Sequence, residues 1–138
     1  MTADGAGVRL HAVAHTRLIR DLARDSDVCE RCVVADRPLV RMRGLLGRHT
    51  LAADEGVLLR PAGSIHTHFM RFPIDALFLD SEMRVVDVRS GLGPWRMASK
   101  RGAKAVLELR AGEARKRGVD VGDVLTVVTV GEAPHGRG

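Results

Sequence analysis

Residues 64 to 80 constrain this chain more than any other stretch. They hold all three of its phenylalanines, Phe69, Phe72 and Phe78, and two of its six histidines, His66 and His68. The chain has no tyrosine and a single tryptophan. Aromatic burial must therefore concentrate here, and aromatic side chains dominate core energetics. Two apolar runs meet at Pro73, which has no N–H to give and cannot sit inside a central strand. The pattern predicts a strand, a proline break and a second strand. If 64 to 72 is extended, His66, His68, Met70 and Phe72 share one face, and Ile65, Thr67, Phe69 and Arg71 the other. Both faces carry apolar bulk, so burial on two sides is expected. The second run, 74 to 80, leads through Asp80, Ser81 and Glu82 into a hairpin returning at 84 to 88.

At 138 residues the chain is one domain, long enough for a core without staples. Gly5 and Gly7 suggest a loose start. Leu18, Ile19, Leu22 and Ala23 permit a short amphipathic helix over 16 to 24. Residues 1 to 27 read as a partly flexible N-terminal extension, 28 to 130 as the domain and 131 to 138 as a disordered tail. A strand is expected over 28 to 35. Asp36 and Pro38 then open a helix near 37 to 47, with Leu39, Met42, Leu45 and Leu46 on its buried face and Gly47 at its end. Arg37, Arg41, Gly44 and Arg48 fall on another face, which is either an anion site or a solvated basic surface. Further strands are expected at 56 to 60, 104 to 109 and 124 to 130. Between 89 and 102 lies a long loop with Gly91, Gly93, Pro94, Trp95 and Gly102. No alternating strand–helix rhythm appears. The fold class is α+β: mainly antiparallel β, a small barrel-like domain with one short helix.

The residues offer several chemistries. Cys29 and Cys32 form a Cys-x-x-Cys pair, read as a redox pair, half a zinc site or simply buried free thiols. On a regular strand, residues three apart face opposite ways, which favours the last reading. His66 and His68 are weak metal candidates, completed by Asp75 or Glu108. His66 and Asp75 could form an acid–base pair, making His66, Asp75 and Glu108 the catalytic candidates of a small, metal-assisted enzyme. The leading reading is a binding or accessory module with a ligand groove beside the central segment. Its contacts would come from His66, His68, Met70, Trp95 and Arg41, for a small molecule, a glycan or a protein partner. No serine or cysteine nucleophile sits in an elbow motif, no phosphate cradle is present, and no cofactor can be named. The net charge of +5 is scattered, and aromatics are too few for a single-strand stacking platform, so nucleic acid is not expected. No apolar run approaches the roughly 18 residues of a membrane helix. The N-terminus lacks a secretory apolar segment, which points to the cytoplasm.

One further pattern joins these parts. Arg41 to Arg48, Glu55 to Leu59, Ile65 to Asp80, Ala105 to Leu109 with Ala111 and Gly112, and Val121 to Asp123 follow in that order. The chain thereby resembles the domain-of-unknown-function 192 (DUF192) family of bacterial and archaeal proteins over roughly residues 28 to 130. The resemblance implies a compact, mainly β, barrel-like domain with a short helix, and it supplies no activity or catalytic residues. His68 stands where the family usually has an aromatic. The cysteine pair is not part of the family pattern. Many relatives carry an N-terminal membrane or export segment, and none is visible here.

Overall fold

The computed structural model describes residues 16–35, 51–67 and 70–129. The described strands are β1 (Thr16–Asp21), β2 (Ser26–Ala35), β3 (Glu55–Leu59), β4 (Ser64–His66), β5 (Ile74–Leu79), β6 (Val85–Leu92), β7 (Met97–Ser99), β8 (Ala105–Arg110) and β9 (Leu125–Thr129). One short helix, α1 (Glu113–Lys116), is present among the described residues. Seven strands form a sheet in the order β6-β5-β8-β3-β2-β1-β9, and β4 pairs with β7 in a second, two-stranded sheet. Pairing is antiparallel except between β2 and β3.

The centre of the large sheet follows from its sequence. β3, β5 and β8 are nearly continuous apolar runs, and a strand with apolar residues at every position is stable only when both faces are covered. Every residue of β3 and β5 is buried, as is β8 up to Leu109. Alternation divides them between two cores. Leu58, Leu77, Leu79, Leu107 and Leu109 pack with Ile19, Val28, Cys29, Cys32 and Ala114. Val57, Leu59, Ile74, Ala76, Phe78 and Val106 face the other way and pack with Ile65, Phe72 and Ala98. The β4–β7 ribbon therefore lies on the second face, held there by Ile65 and Ala98. Each such side chain contributes about 1.5–3 kcal/mol when fully buried.

The sheet also curls until its edges meet at one end. Arg84 and Val124 form a bridge, the Val85 N–H donates to Asp123 O (2.8 Å), and the Leu125 N–H donates to Met83 O (2.9 Å). This is the barrel-like, mainly antiparallel architecture expected from the pattern of short strands.

Several local expectations change. Residues 16 to 24 are a strand and a turn, because β1 is sandwiched between β2 and β9 and that pairing outweighs a short helical spacing. The stretch read as an extension up to residue 27 thus supplies a strand of the sheet. β4 ends at His66, and its exposed–buried–exposed pattern marks a ribbon covered on one side, not two. β6 runs on to Leu92, and β7 lies inside the stretch read as loop. Strand, proline break and strand hold around Pro73. The helix expected near 37 to 47 and the tail at 131 to 138 lie outside the described residues.

The cysteine pair differs too. Arg17 pairs with Cys32 and Ile19 with Cys29, so three steps along β2 match two along β1. This β-bulge restores the parity that a three-residue spacing would break. Cys29 and Cys32 therefore share the face of buried Ile19 and lie in one core.

Asp75 ties the layers together. Its carboxylate is fully buried on the face opposite Phe78. Oδ1 accepts the Gly91 N–H (2.9 Å), and Oδ2 accepts those of Gly112 and Ala114 (3.0 Å each). Gly91 sits in a register shift of β6 at φ +62°, and Gly112 precedes α1 at φ +96°, conformations that suit glycine. One side chain thus fixes the bulge of β6 and the start of α1. Its partners lie 16 to 39 positions away.

A second polar cluster closes the barrel seam. Asp21 Oδ1 accepts the Ala23 and Arg24 N–H groups. Arg24 donates to Asp123 and Asp120 (2.9 and 2.8 Å). Burial, and then hydrogen bonding to Asp123, raise the Asp21 carboxyl above the usual range. Burial also pushes Asp123 up, but the Asp120 N–H, the Asp21 carboxyl and Arg24 outweigh it and hold Asp123 low. Of the two carboxyls, Asp21 is thus the one that holds a proton more readily.

Two outcomes follow. Replacing Asp75 by Asn puts donors against donors, so Asp75→Asn should lower unfolding free energy by about 2–3 kcal/mol in urea titrations; a loss near zero would deny the carboxylate its pinning role. For Asp21 the folded pKa lies above the unfolded one. Its stabilising contribution is complete below the unfolded value and is lost as pH rises through the folded value. Asp123 has the opposite sign: its contribution is lost as pH falls. Asp21→Asn removes this ionisation, so its stability should fall less than the wild type's as pH rises above the usual carboxyl range. Equal pH dependence in both proteins would contradict the raised Asp21 carboxyl.

Candidate functional site

The β4–β7 ribbon presents the candidate surface. Ser64 pairs with Ser99, Ile65 with Ala98 and His66 with Met97. Directly paired residues share a face. Ile65 and Ala98 point into the core, so Ser64, His66, Met97 and Ser99 point outward, and all four are exposed. Met97 is 70% exposed and Trp95, just before the ribbon, 65%. Exposed apolar side chains of this size, two positions apart in the chain, are what binding surfaces are made of. Arg71, Arg96, Lys100 and Arg101 are exposed as well.

Trp95 is held where it stands. Its φ is +61°, an outlier for a bulky residue and a cost of order 1–3 kcal/mol. Thr67, fully buried, meets that cost. The Thr67 carbonyl accepts the Trp95 N–H (2.9 Å), and the Thr67 N–H donates to Arg96 O (2.8 Å). The Thr67 hydroxyl donates to Gly93 O (2.6 Å) and accepts the Arg96 N–H (2.9 Å). The Met70 N–H also donates to the Thr67 carbonyl (3.2 Å). One threonine therefore clamps residues 93 to 96. From the sequence Thr67 is placed only on one face of an extended segment, with Ile65, Phe69 and Arg71, and nothing local signals its partners at 93 to 96.

The ribbon is tied back to the main sheet by Arg89. Its Nη2 donates to Ser99 O (3.1 Å), its Nε to Asp87 (2.7 Å), and its guanidinium lies 5.7 Å from the Phe78 ring centroid. The Arg89 hydrogen bond holds Asp87 below the usual carboxylate range, with burial opposing and the Val88 N–H assisting. Asp87 therefore stays ionised and keeps Arg89 in place.

The candidate residues separate on this frame. His66, Trp95 and half-buried Met70 belong to the ribbon and its turn. Asp75 faces the first core beside Leu109, its partner across the strands, with both oxygens engaged by backbone N–H groups. Glu108 is buried opposite Ala76 and Val57, on the second face. His66 points outward from the far side of the ribbon. The structure thus puts Asp75 in the first core, Glu108 on the second face under the ribbon and His66 on the ribbon's outer face. His68 and Arg41 lie outside the described residues. Among the described residues no group of three or more His, Cys, Asp or Glu is placed to hold a metal ion. No helix among them is long and apolar enough to cross a membrane.

Comparison with known proteins extends the reading. A UPF0127 protein of Pyrococcus abyssi (strain GE5 / Orsay) is 45% identical over 100 residues, which is 70% of this chain and 85% of that protein. A UPF0127 protein of Thermococcus kodakarensis is 35% identical over 98 residues, 67% of this chain and 62% of that longer protein. Among solved structures, a protein of Sinorhizobium meliloti 1021, described as a candidate transcription regulator, superposes with a TM-score of 0.72 at 25% identity over 83% of this chain and 95% of that one. A protein of unknown function from Novosphingobium aromaticivorans shares the fold, with a TM-score of 0.68 at 21% identity over 80% of this chain and 83% of that one. The profile of the DUF192 family, described as Uncharacterized ACR, matches residues 22–127. On that match and these relatives, the chain belongs to the DUF192 (UPF0127) family.

Proposed function

We propose that the protein is a small binding module whose recognition surface is the outer face of the β4–β7 ribbon. The observation that carries this reading is Trp95, exposed on a left-handed backbone that Thr67 secures through four hydrogen bonds. A fold that only needed to cover its core would turn the ring inward and relax the backbone. Trp95 and Met97 supply apolar area, His66 a polar edge, and Arg71, Arg96, Lys100 and Arg101 a positive rim. Such a surface suits a partner that combines a flat apolar or sugar-ring face with carboxylates. The partner class is an acidic glycan, a small organic acid or an acidic protein segment. In this reading the working unit is the domain at 28 to 130 with β1 added to its sheet.

A nucleic-acid reading draws on the net charge of +5 and on the description of the Sinorhizobium relative. It is set apart by salt: binding through many phosphates weakens steeply as salt rises.

The test uses Trp95 as the only tryptophan reporter. The protein is titrated with oligomers of a uronic acid, their neutral counterparts, an acidic peptide and duplex DNA. A saturable fluorescence change with a carboxylated ligand, and none with the neutral sugar, is the expected result. Thr67→Val removes the hydroxyl clamp and should weaken that binding about tenfold, or about 1.4 kcal/mol. No response to any ligand, or equal affinity in Thr67→Val, would reject the surface; a response to DNA alone with a steep salt slope would favour the second reading.

A further inference from the structure

Cys29 and Cys32 play no part in the surface just described, yet the fold brings them together. Three observations agree. The bulge in β2 sets both on the face of Ile19, opposite β1 residues two apart, a step of about 6.6 Å along a strand. Disulfide bonds form between Cα atoms about 4.4–6.8 Å apart, so the bulge brings the pair to the edge of bridging range, where a regular three-residue step of about 10 Å would not. Second, Gly56 pairs with Cys32 across the parallel ladder, and a Cβ there would fall 2.9 Å from Cys29 Sγ. The Cys29 sulfur therefore occupies the space left by the missing side chain, beside the strand position of Cys32. Third, the Cys29 thiol is close enough to help raise the Cys32 thiol, although the two S–H groups are directed at Asp54 O (3.5 Å) and Val33 O (3.7 Å).

We propose that Cys29 and Cys32 are a modification site: a bulge-positioned dithiol that a peroxide converts into a reversible intrachain disulfide. The two sulfurs have different surroundings. The Cys29 S–H is directed at Asp54 O (3.5 Å), a half-buried contact, whereas the Cys32 S–H is directed at Val33 O (3.7 Å) inside the core. Burial, and then the Cys29 thiol, push Cys32 well above the usual thiol range, so it waits protonated. Cys29 sulfur attacks one peroxide oxygen, the O–O bond breaks, and a sulfenic acid and water result. Cys32 sulfur then attacks the Cys29 sulfur. The S–S bond forms, the S–O bond breaks, and the second water leaves with the Cys32 proton. In sum, two thiols lose two electrons and two protons, and one peroxide becomes two waters. Both sulfurs are buried, so the oxidant must reach them through a local opening of the fold. Oxidation is then slow and tracks that opening.

The experiment exposes the reduced, folded full chain to hydrogen peroxide. Remaining thiols are alkylated after denaturation, and the protein is cut with trypsin. Cleavage after Arg31 separates the two cysteines, so a disulfide shows as two joined peptides that part on reduction. The expected result is that joined species within single chains, loss of both alkylatable thiols together, unchanged Trp95 fluorescence and a urea midpoint at or above that of the reduced protein. Cys32→Ser should instead leave Cys29 as a sulfenic acid that dimedone traps, and Cys29→Ser should yield neither product at the same dose. The proposal is overturned if both thiols stay alkylatable at a dose that oxidises free cysteine, if joining requires added urea, if it occurs only between chains, or if bridging unfolds the protein.

Discussion

The buried carboxylate of Asp75 is the constraint on which the arrangement turns. It enters the core beside Leu77 and Leu109, where an unpaired charge would be expensive, and it is made tolerable by three backbone N–H donors. Those donors belong to β6 and to the turn that opens α1. The sheet centre therefore dictates where β6 bulges and where the chain turns after β8. From Gly91 the chain runs through Leu92 to Gly93, whose carbonyl takes the Thr67 hydroxyl. Asp75 and Thr67 thus act in series. The first sets the departure of the loop, and the second fixes its arrival at Trp95.

Rigidity of this kind has a consequence for recognition. A surface aromatic on a loose loop loses conformational freedom when a ligand orders it, and that loss subtracts from affinity. Trp95 is ordered beforehand by bonds from its own backbone and its neighbours. The Arg89 bridge to Ser99, braced by ionised Asp87 and the Phe78 ring, steadies the other end of the ribbon. Recognition and core packing are therefore linked through Phe78, one of the phenylalanines with which the sequence signals its centre.

What could be read from the sequence divides along the range of the interactions. The apolar runs of β3, β5 and β8, the break at Pro73 and the hairpin around Asp80 are local signals, and they were legible. Trp95 was legible as a surface candidate because it is the one tryptophan in a glycine-rich stretch, and His66 because it opens the His-x-His of the central segment. Ile19 was misplaced on a helix because its six-residue window fits two periods, and only the pairing with β2 and β9 decides between them. The meeting of Cys29 and Cys32 was hidden because a bulge is a count across two strands, not a pattern within one. Asp75 resembled an acid–base partner because its donors, Gly91, Gly112 and Ala114, lie far along the chain.

Amide hydrogen exchange on the folded protein tests most directly whether the Trp95 ring is displayed on a locked backbone. The account predicts that the Trp95 and Arg96 amides, bonded to Thr67, are protected to a degree comparable with the Gly91 and Gly112 amides bonded to Asp75, although the ring itself is open to water. Exchange of Trp95 and Arg96 at the rate of an unstructured chain, while β5 and β8 remain protected, would contradict it.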